Sequence, residues 1–168
     1  MIKFRVFGFG NSEKPAPPEV PAAAAQETSS PMNGMQTNLL GKRVLVVDDD
    51  PIFSKLTAIK LQSAGFQVRT AADSSAAIAA LGEQATDSVL MDINLPPDVC
   101  NGGMGSWDGF QLMVWLRNLP SARGARFIMV SNSGSESDRL RAQQIGAAGY
   151  FQKPVDHEKL FALLNAAQ

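Results

Sequence analysis

Apolar residues fall along this chain in two alternating kinds of run. Short clusters rich in β-branched or aromatic residues stand at RVLVV (43–47), FQVRT (66–70), SVLM (88–91), RFIMVS (126–131) and GYF (149–151). Each has the length and composition of a strand. Between them lie longer stretches whose apolar residues recur at helical spacing: 51–64, 73–84, 109–119, 135–147 and 156–167. The punctuation agrees with this reading. Asp50 before Pro51 pairs a capping carboxylate with proline in the first helical position. Gly65 closes that helix, Asp73 caps the second, and Ser135 with Asp138 forms a capping pair for the fourth.

Five strands, each followed by a helix, predict an α/β fold with a parallel sheet covered on both faces. In such sheets the functional crevice lies at the carboxyl ends of the strands. Strand one is followed there by Asp48, Asp49 and Asp50, and strand three by Asp92. Strand four ends at Ser131, and strand five runs into Lys153-Pro154. Carboxylates meeting at one edge raise each other's pKa unless a counter-charge is present. A hard divalent cation with oxygen ligands relieves this, and Mg²⁺ takes one or two carboxylates while binding phosphoryl oxygens. Carboxylates, Mg²⁺, a lysine and a hydroxyl make a phosphoryl-transfer site with an aspartate nucleophile. Asp50 reads as a solvated or capping residue rather than part of that set.

The segments VLVVDDDP, VLMDINLP, IMVSNSG and GYFQKP, in this order and spacing, resemble the receiver domain of two-component response regulators. The resemblance covers Lys42 to about Ala167. It implies a doubly wound (βα)5 fold of the flavodoxin-like, CheY-like kind, with strand order 2-1-3-4-5 and a receiver domain over 42–168. It also implies roles. Asp92 is expected to be the phosphoacceptor, served by Lys153 and Ser131. Asp48, Asp49, Asp92 and the backbone carbonyl of Asn94 are expected to hold Mg²⁺ (or Mn²⁺). Ser131 and Tyr150 take the positions of the switch hydroxyl and switch aromatic. The phosphoryl donor is then a histidine kinase or a histidine phosphotransfer protein. A downstream protein would bind the face of helix four, strand five and helix five. Such a protein is a bacterial, cytoplasmic signalling switch, monomeric or weakly dimeric, rather than an enzyme in the ordinary sense.

Three departures stand out against that family. Asn132 follows the switch hydroxyl where a small residue is usual, which bears on the dephosphorylation rate. Nothing follows the fifth helix, so the expectation is a regulator that acts by binding a partner or passing the phosphoryl group on. The Asp-Gly pair that opens helix three comes sixteen residues after Asp92, at Asp108. Family receivers place it about seven after, so about nine extra residues lie within Pro97 to Trp107. They are either a tolerated surface insertion, since loop length costs little, or a partner-selecting flap capped by Trp107.

Composition narrows the rest. Residues 1–41 carry three basic and three acidic residues and residues 42–168 carry twelve and thirteen, so neither part has the basic excess of a nucleic-acid binder. No apolar run approaches membrane-spanning length. One cysteine, Cys100, and one histidine, His157, exclude a disulfide framework and a His/Cys zinc site. Residues 1–41 read as a flexible extension. Alternation over 2–7 is strand-like, either a docking strand or simply a sticky end, the second being favoured, and the Pro/Ala-rich 11–38 is a linker. His157 is expected to be exposed and to play no part in phosphoryl transfer. Met104, Met113 and Met129 read as loop or core residues, and Trp115 is expected to pack. Two rival readings remain: a receiver fold that serves only as an interaction scaffold, and an aspartate-nucleophile phosphatase of the haloacid dehalogenase type. The second needs an Asp two positions after Asp92, where this chain has Asn94.

Overall fold

A computed structural model describes residues 41–96 and 107–166. The strand read at 2–7, the linker at 11–38, and positions 97–106 of the insertion, with Cys100 and Met104, lie outside the described residues. Five strands and five helices alternate: β1 (Arg43–Val47), α1 (Pro51–Ser63), β2 (Gln67–Ala71), α2 (Ser74–Glu83), β3 (Ser88–Asp92), α3 (Gly109–Leu116), β4 (Arg126–Ser131), α4 (Glu136–Gln144), β5 (Gly149–Gln152) and α5 (His157–Asn165). All pairings are parallel, in the order β2-β1-β3-β4-β5. This is the doubly wound, flavodoxin-like order expected from the sequence.

The apolar runs are continuous because the central strands are buried on both faces. Alternate side chains then serve two separate cores. Val44, Val46, Leu90, Ile128 and Val130 face Leu61 of α1 and Leu160 and Leu164 of α5. Leu45, Val47, Val89, Met91, Phe127 and Met129 face Leu81 of α2, Phe110, Leu112, Met113 and Leu116 of α3, and Ala142 of α4. β3 is buried along its whole length, so its last residue, Asp92, is carried into the interior.

Caps follow the sequence closely. Asp50 accepts the backbone N–H groups of Ile52 and Phe53 at 2.8 and 3.2 Å. Asp73 accepts that of Ala76 at 2.7 Å, and Ser135 that of Asp138 at 3.4 Å. Gly65 closes α1 at φ 91°, a left-handed conformation that suits glycine.

Some details differ from expectation. β2 starts one residue late because Phe66 drops into the core beside α1 and α5. α3 stops at Leu116 rather than 119: the position before Pro120 resists helical backbone, and a 3₁₀ turn follows at Pro120–Ala122. α4 stops at Gln144, ahead of Gly146 at φ 79°. His157 is half-buried rather than exposed, since α1 and α5 pack over it. Its ring meets Phe161 edge-on at 6.2 Å and Lys60 Nζ at 3.4 Å, and burial together with that nearby charge holds its pKa below the ordinary value. Trp115 does not pack into the core; it is 38% exposed and leans on Trp107 at 5.7 Å. Met113 and Met129 are core residues, as expected.

Asp87 ties the lower ends of β1 and β3 together, accepting the Arg43 backbone N–H at 2.7 Å and its guanidinium at 3.3 Å. Burial alone would raise its pKa, but the Arg43 bonds outweigh it and hold the carboxyl below its ordinary value. Stability from this group is therefore complete above the unfolded pKa, near 3.8, and disappears as pH falls through the lower folded value. Both side chains are more than a third exposed, so Asp87→Asn is expected to cost no more than about 1 kcal/mol at neutral pH. Urea unfolding at pH 7 and at about pH 3 should show that difference shrinking in acid.

Candidate functional site: an acidic crevice at the carboxyl edge of the sheet

Strand register brings the candidate residues together. β1 and β3 run side by side with Val47 opposite Met91, so the next residues, Asp48 and Asp92, emerge at the same level. Both are 2% exposed, while Asp49 beside them faces solvent. Oxygens of Asp48, Asp49 and Asp92 lie within 4.8 Å of one another. β5 supplies the counter-charge: the Lys153 backbone N–H bonds the Ser131 carbonyl at 2.7 Å, and its Nζ lies 2.6 Å from Asp48 Oδ2 and from Asp92 Oδ2. The Lys153–Pro154 peptide is cis.

Backbone groups hold the two carboxylates in place. Asp50 N–H donates to Asp48 Oδ1 at 3.0 Å, and Asn94 N–H donates to Asp92 Oδ1 at 2.9 Å. Ser54 of α1 donates to the Asp48 carbonyl at 3.2 Å. Asp50 is thus both a helix cap and a clamp on Asp48. Burial pushes the Asp48 carboxyl above its ordinary pKa, opposed by Lys153 and the Asp50 N–H and reinforced by the charge of Asp92. Burial would lower Lys153, but the two carboxylates outweigh it and raise its pKa. The lysine is therefore fully charged at neutral pH.

The donor set suits a small hard cation. Three carboxylates share one edge with a single ammonium, and Asp48 Oδ2 touches that ammonium without an aligned hydrogen-bond donor. A buried oxygen in this condition accepts a cation readily. The exposed side chains of Asp49 and Asn94 leave the crevice open from solvent.

Around this centre the remaining predicted residues are distributed unevenly. Ser131 is fully buried, and its hydroxyl contacts Ser133, whose N–H it accepts at 3.1 Å and whose Oγ lies at 3.2 Å. Tyr150 is half-buried, with its hydroxyl donating to the Ser133 carbonyl at 2.6 Å and Arg139 over its ring at 5.8 Å. Asn132 is exposed. Trp107 lies against Trp115, in an apolar groove of α3 and α4 with Val114 and Ile145, rather than among the acidic residues.

Sequence reasoning missed four contributors. Ser133 links the Ser131 hydroxyl to Tyr150 and also donates to Asp138 at 3.1 Å. Phe53 places its ring 4.4 Å from Lys153 Nζ. Arg141 of α4 stacks on Phe110 at 4.2 Å and reaches Asp108 at 2.8 Å. Gly109 was visible only as half of an Asp-Gly pair. Its N–H bonds the Ile93 carbonyl at 2.9 Å, and a Cβ there would lie 2.1 Å from the Asp92 carbonyl oxygen. The glycine lets α3 begin directly against the backbone at the end of β3.

A doubly wound parallel α/β protein with a lysine-neutralised acidic crevice at its switch edge is a recognised class of switch domain. The chain belongs to the response regulator receiver domain family, whose model matches residues 44–165. It is 32% identical over 126 residues to the transcriptional regulatory protein GltR of Pseudomonas aeruginosa, covering 75% of this chain and 48% of that protein. It is 31% identical over 127 residues to the phosphate regulon regulator PhoB of Escherichia coli, covering 76% and 52%. The chain thus spans about half the length of these curated relatives. Among solved structures it is similar to chemotaxis protein CheY4 of Vibrio cholerae, with 27% identity, TM-score 0.62, and coverage of 73% and 95%. It is also similar to a Burkholderia pseudomallei response regulator with a phosphorylated aspartic acid and a calcium ion, with 26% identity, TM-score 0.62, and coverage of 73% and 66%.

Gly109→Ala should be disproportionately harmful for one methyl group, because the clash is with backbone. A loss of about 3 kcal/mol in urea unfolding is expected, against no loss for Gly82→Ala, which lies within α2 with nothing within 4 Å.

Proposed function

We propose that this receiver accepts a phosphoryl group on Asp92 from a histidine kinase or a histidine phosphotransfer protein and, in that state, changes its binding to a downstream protein. The observation that carries the proposal is the shared contact of Lys153 Nζ with Asp48 and Asp92, 2.6 Å from each, beside the exposed Asp49. In support, a similar solved response regulator contains a phosphorylated aspartic acid and a calcium ion.

Asp92 attacks phosphorus in line, its new O–P bond forming as the N–P bond to the donor imidazole breaks. Lys153 draws toward the phosphoryl oxygens, whose charge grows along this path. Asp48, Asp49, Asp92 and the Asn94 carbonyl would hold Mg²⁺ (or Mn²⁺), which neutralises charge on the transferring oxygens when bound. Asn94 N–H keeps the Asp92 carboxylate oriented toward the open side.

Phosphorylation adds charge at the floor of the crevice, and the Ser131 hydroxyl is the nearest candidate donor on β4. Turning toward the phosphoryl group costs Ser131 its contacts with Ser133. Ser133 also anchors Tyr150, so the loosened β4–α4 connection frees the aromatic ring to move inward. The face of α4, β5 and α5 then presents a different surface, a two-state switch biased by a covalent charge. Asn132, exposed at the entrance, is placed to tune the hydrolysis that resets it. The setting is bacterial and cytoplasmic, with a monomeric or weakly dimeric protein. No helix among the described residues is long and apolar enough to cross a membrane.

Incubation with acetyl phosphate and Mg²⁺, read by intact mass, should add one phosphoryl group to the wild type and none to Asp92→Asn. Absence of the added mass from wild type would return the protein to the scaffold reading. Mg²⁺ at ten times its dissociation constant should stabilise the wild type by about 1.4 kcal/mol, a rise of a few degrees in Tm. Asp49→Asn should abolish that rise.

A further inference from the structure

Lys153 presents three N–H donors, and the carboxylates account for two sides of its ammonium. The aromatic ring of Phe53 faces the same group, with Nζ 4.4 Å from the ring centroid. The lysine side chain is only 10% exposed, so the ring stands where water would otherwise solvate the charge. A cation over an aromatic face is attracted to it, and more strongly when desolvated.

We propose that Phe53 is a positioning residue for Lys153, holding the ammonium at the acceptor carboxylate through its ring face. The inference rests on the phosphoreceiver reading of Asp92. Its logic is that the carboxylate partners change during that chemistry and the ring does not. Asp48 would turn from the ammonium toward a bound metal ion, and Asp92 becomes an acyl phosphate. Of these three contacts of the ammonium, the Phe53 ring is the one that the chemistry leaves unaltered. Its place is secured by the cap of α1, since Asp50 accepts the Phe53 backbone N–H and also clamps Asp48. The backbone that orients the acidic pair therefore also orients the ring.

The test is incorporation of 4-fluoro-, 3,5-difluoro- and 3,4,5-trifluorophenylalanine at position 53 of the full chain, with Phe53→Leu and Phe53→Tyr alongside. Fluorination drains the ring face while nearly conserving its shape, so a merely packing role would leave the series flat. Initial rates with phosphoramidate and Mg²⁺ should fall stepwise with fluorine number, by roughly threefold or more across the series. Phe53→Leu should match the trifluoro protein, and Phe53→Tyr should stay near wild type. Rates independent of fluorination overturn the proposal, as does Phe53→Tyr falling with Phe53→Leu while both remain folded by urea unfolding. A second reading needs no phosphoryl chemistry: the Lys153 ε-methylene protons, assigned by their loss in Lys153→Arg, should be shifted upfield by the ring and return to ordinary positions in Phe53→Leu. An unshifted wild-type signal overturns the contact itself. A wild type that takes no phosphoryl group refutes the phosphoreceiver reading of Asp92, and the ring-current result then decides the role of Phe53.

Discussion

One ammonium between two buried carboxylates sets the terms for the rest of this molecule. Asp48 and Asp92 are each 2% exposed, and Lys153 is the counter-charge that both of them contact. Lys153 reaches them only because β5 lies at the far edge of the sheet from β2 and its chain is pinned by the Ser131 carbonyl. The crevice is therefore built by three strands distant in sequence, and the register of the sheet is the condition for its charge balance. The balance is incomplete, since Asp49 adds a third carboxylate to one lysine. That residual negative charge suits the edge to a small hard cation.

The two cores explain why this edge can be so polar. The apolar side chains of the central strands β1, β3 and β4 find partners above or below the sheet, and buried polar groups gather where those strands end. Asp48, Asp92 and Ser131 are the buried polar exceptions nearest that boundary, and each has a backbone donor: Asp50, Asn94 and Ser133. Burial with a fixed donor gives these groups defined positions.

The succession of strands and helices, the helix caps and the acidic edge were legible in the sequence because each depends on local pattern, whereas the strand order followed from the family resemblance. Apolar runs mark buried strands, Asp-Pro marks a helix start, and the carboxyl-end rule collects the rest. Boundaries slipped where tertiary packing took a residue from its apparent element, as with Phe66, or where a downstream proline shortened α3. Contacts between elements were not legible. Half-burial of His157 depends on how closely α1 and α5 approach, and the ring of Phe53 over Lys153 joins residues a hundred positions apart. Ser133 looks like any loop serine until its carbonyl is seen to receive the Tyr150 hydroxyl.

The inserted stretch between β3 and α3 meets a frame that does not yield at either end. Ile93 and Leu95 are buried after Asp92, and the Ile93 backbone is bonded on both sides, to Val130 and to Gly109. On the far end, Asp108 caps α3 in a reciprocal box with Gln111 and pairs with Arg141. The extra residues thus leave and return through points held by buried or paired groups, so added length need not disturb the acidic crevice. Arg141 gives this frame a second consequence. It belongs to α4, which follows the Ser131–Ser133 turn, and it grips the cap of α3, which rests on the Asp92 backbone through Gly109. Movement of α4 must therefore be reconciled with two attachments to the acidic edge, one through Ser133 and one through Asp108. A helix held at two points, the turn after β4 and the cap of α3, is suited to discrete positions rather than gradual displacement.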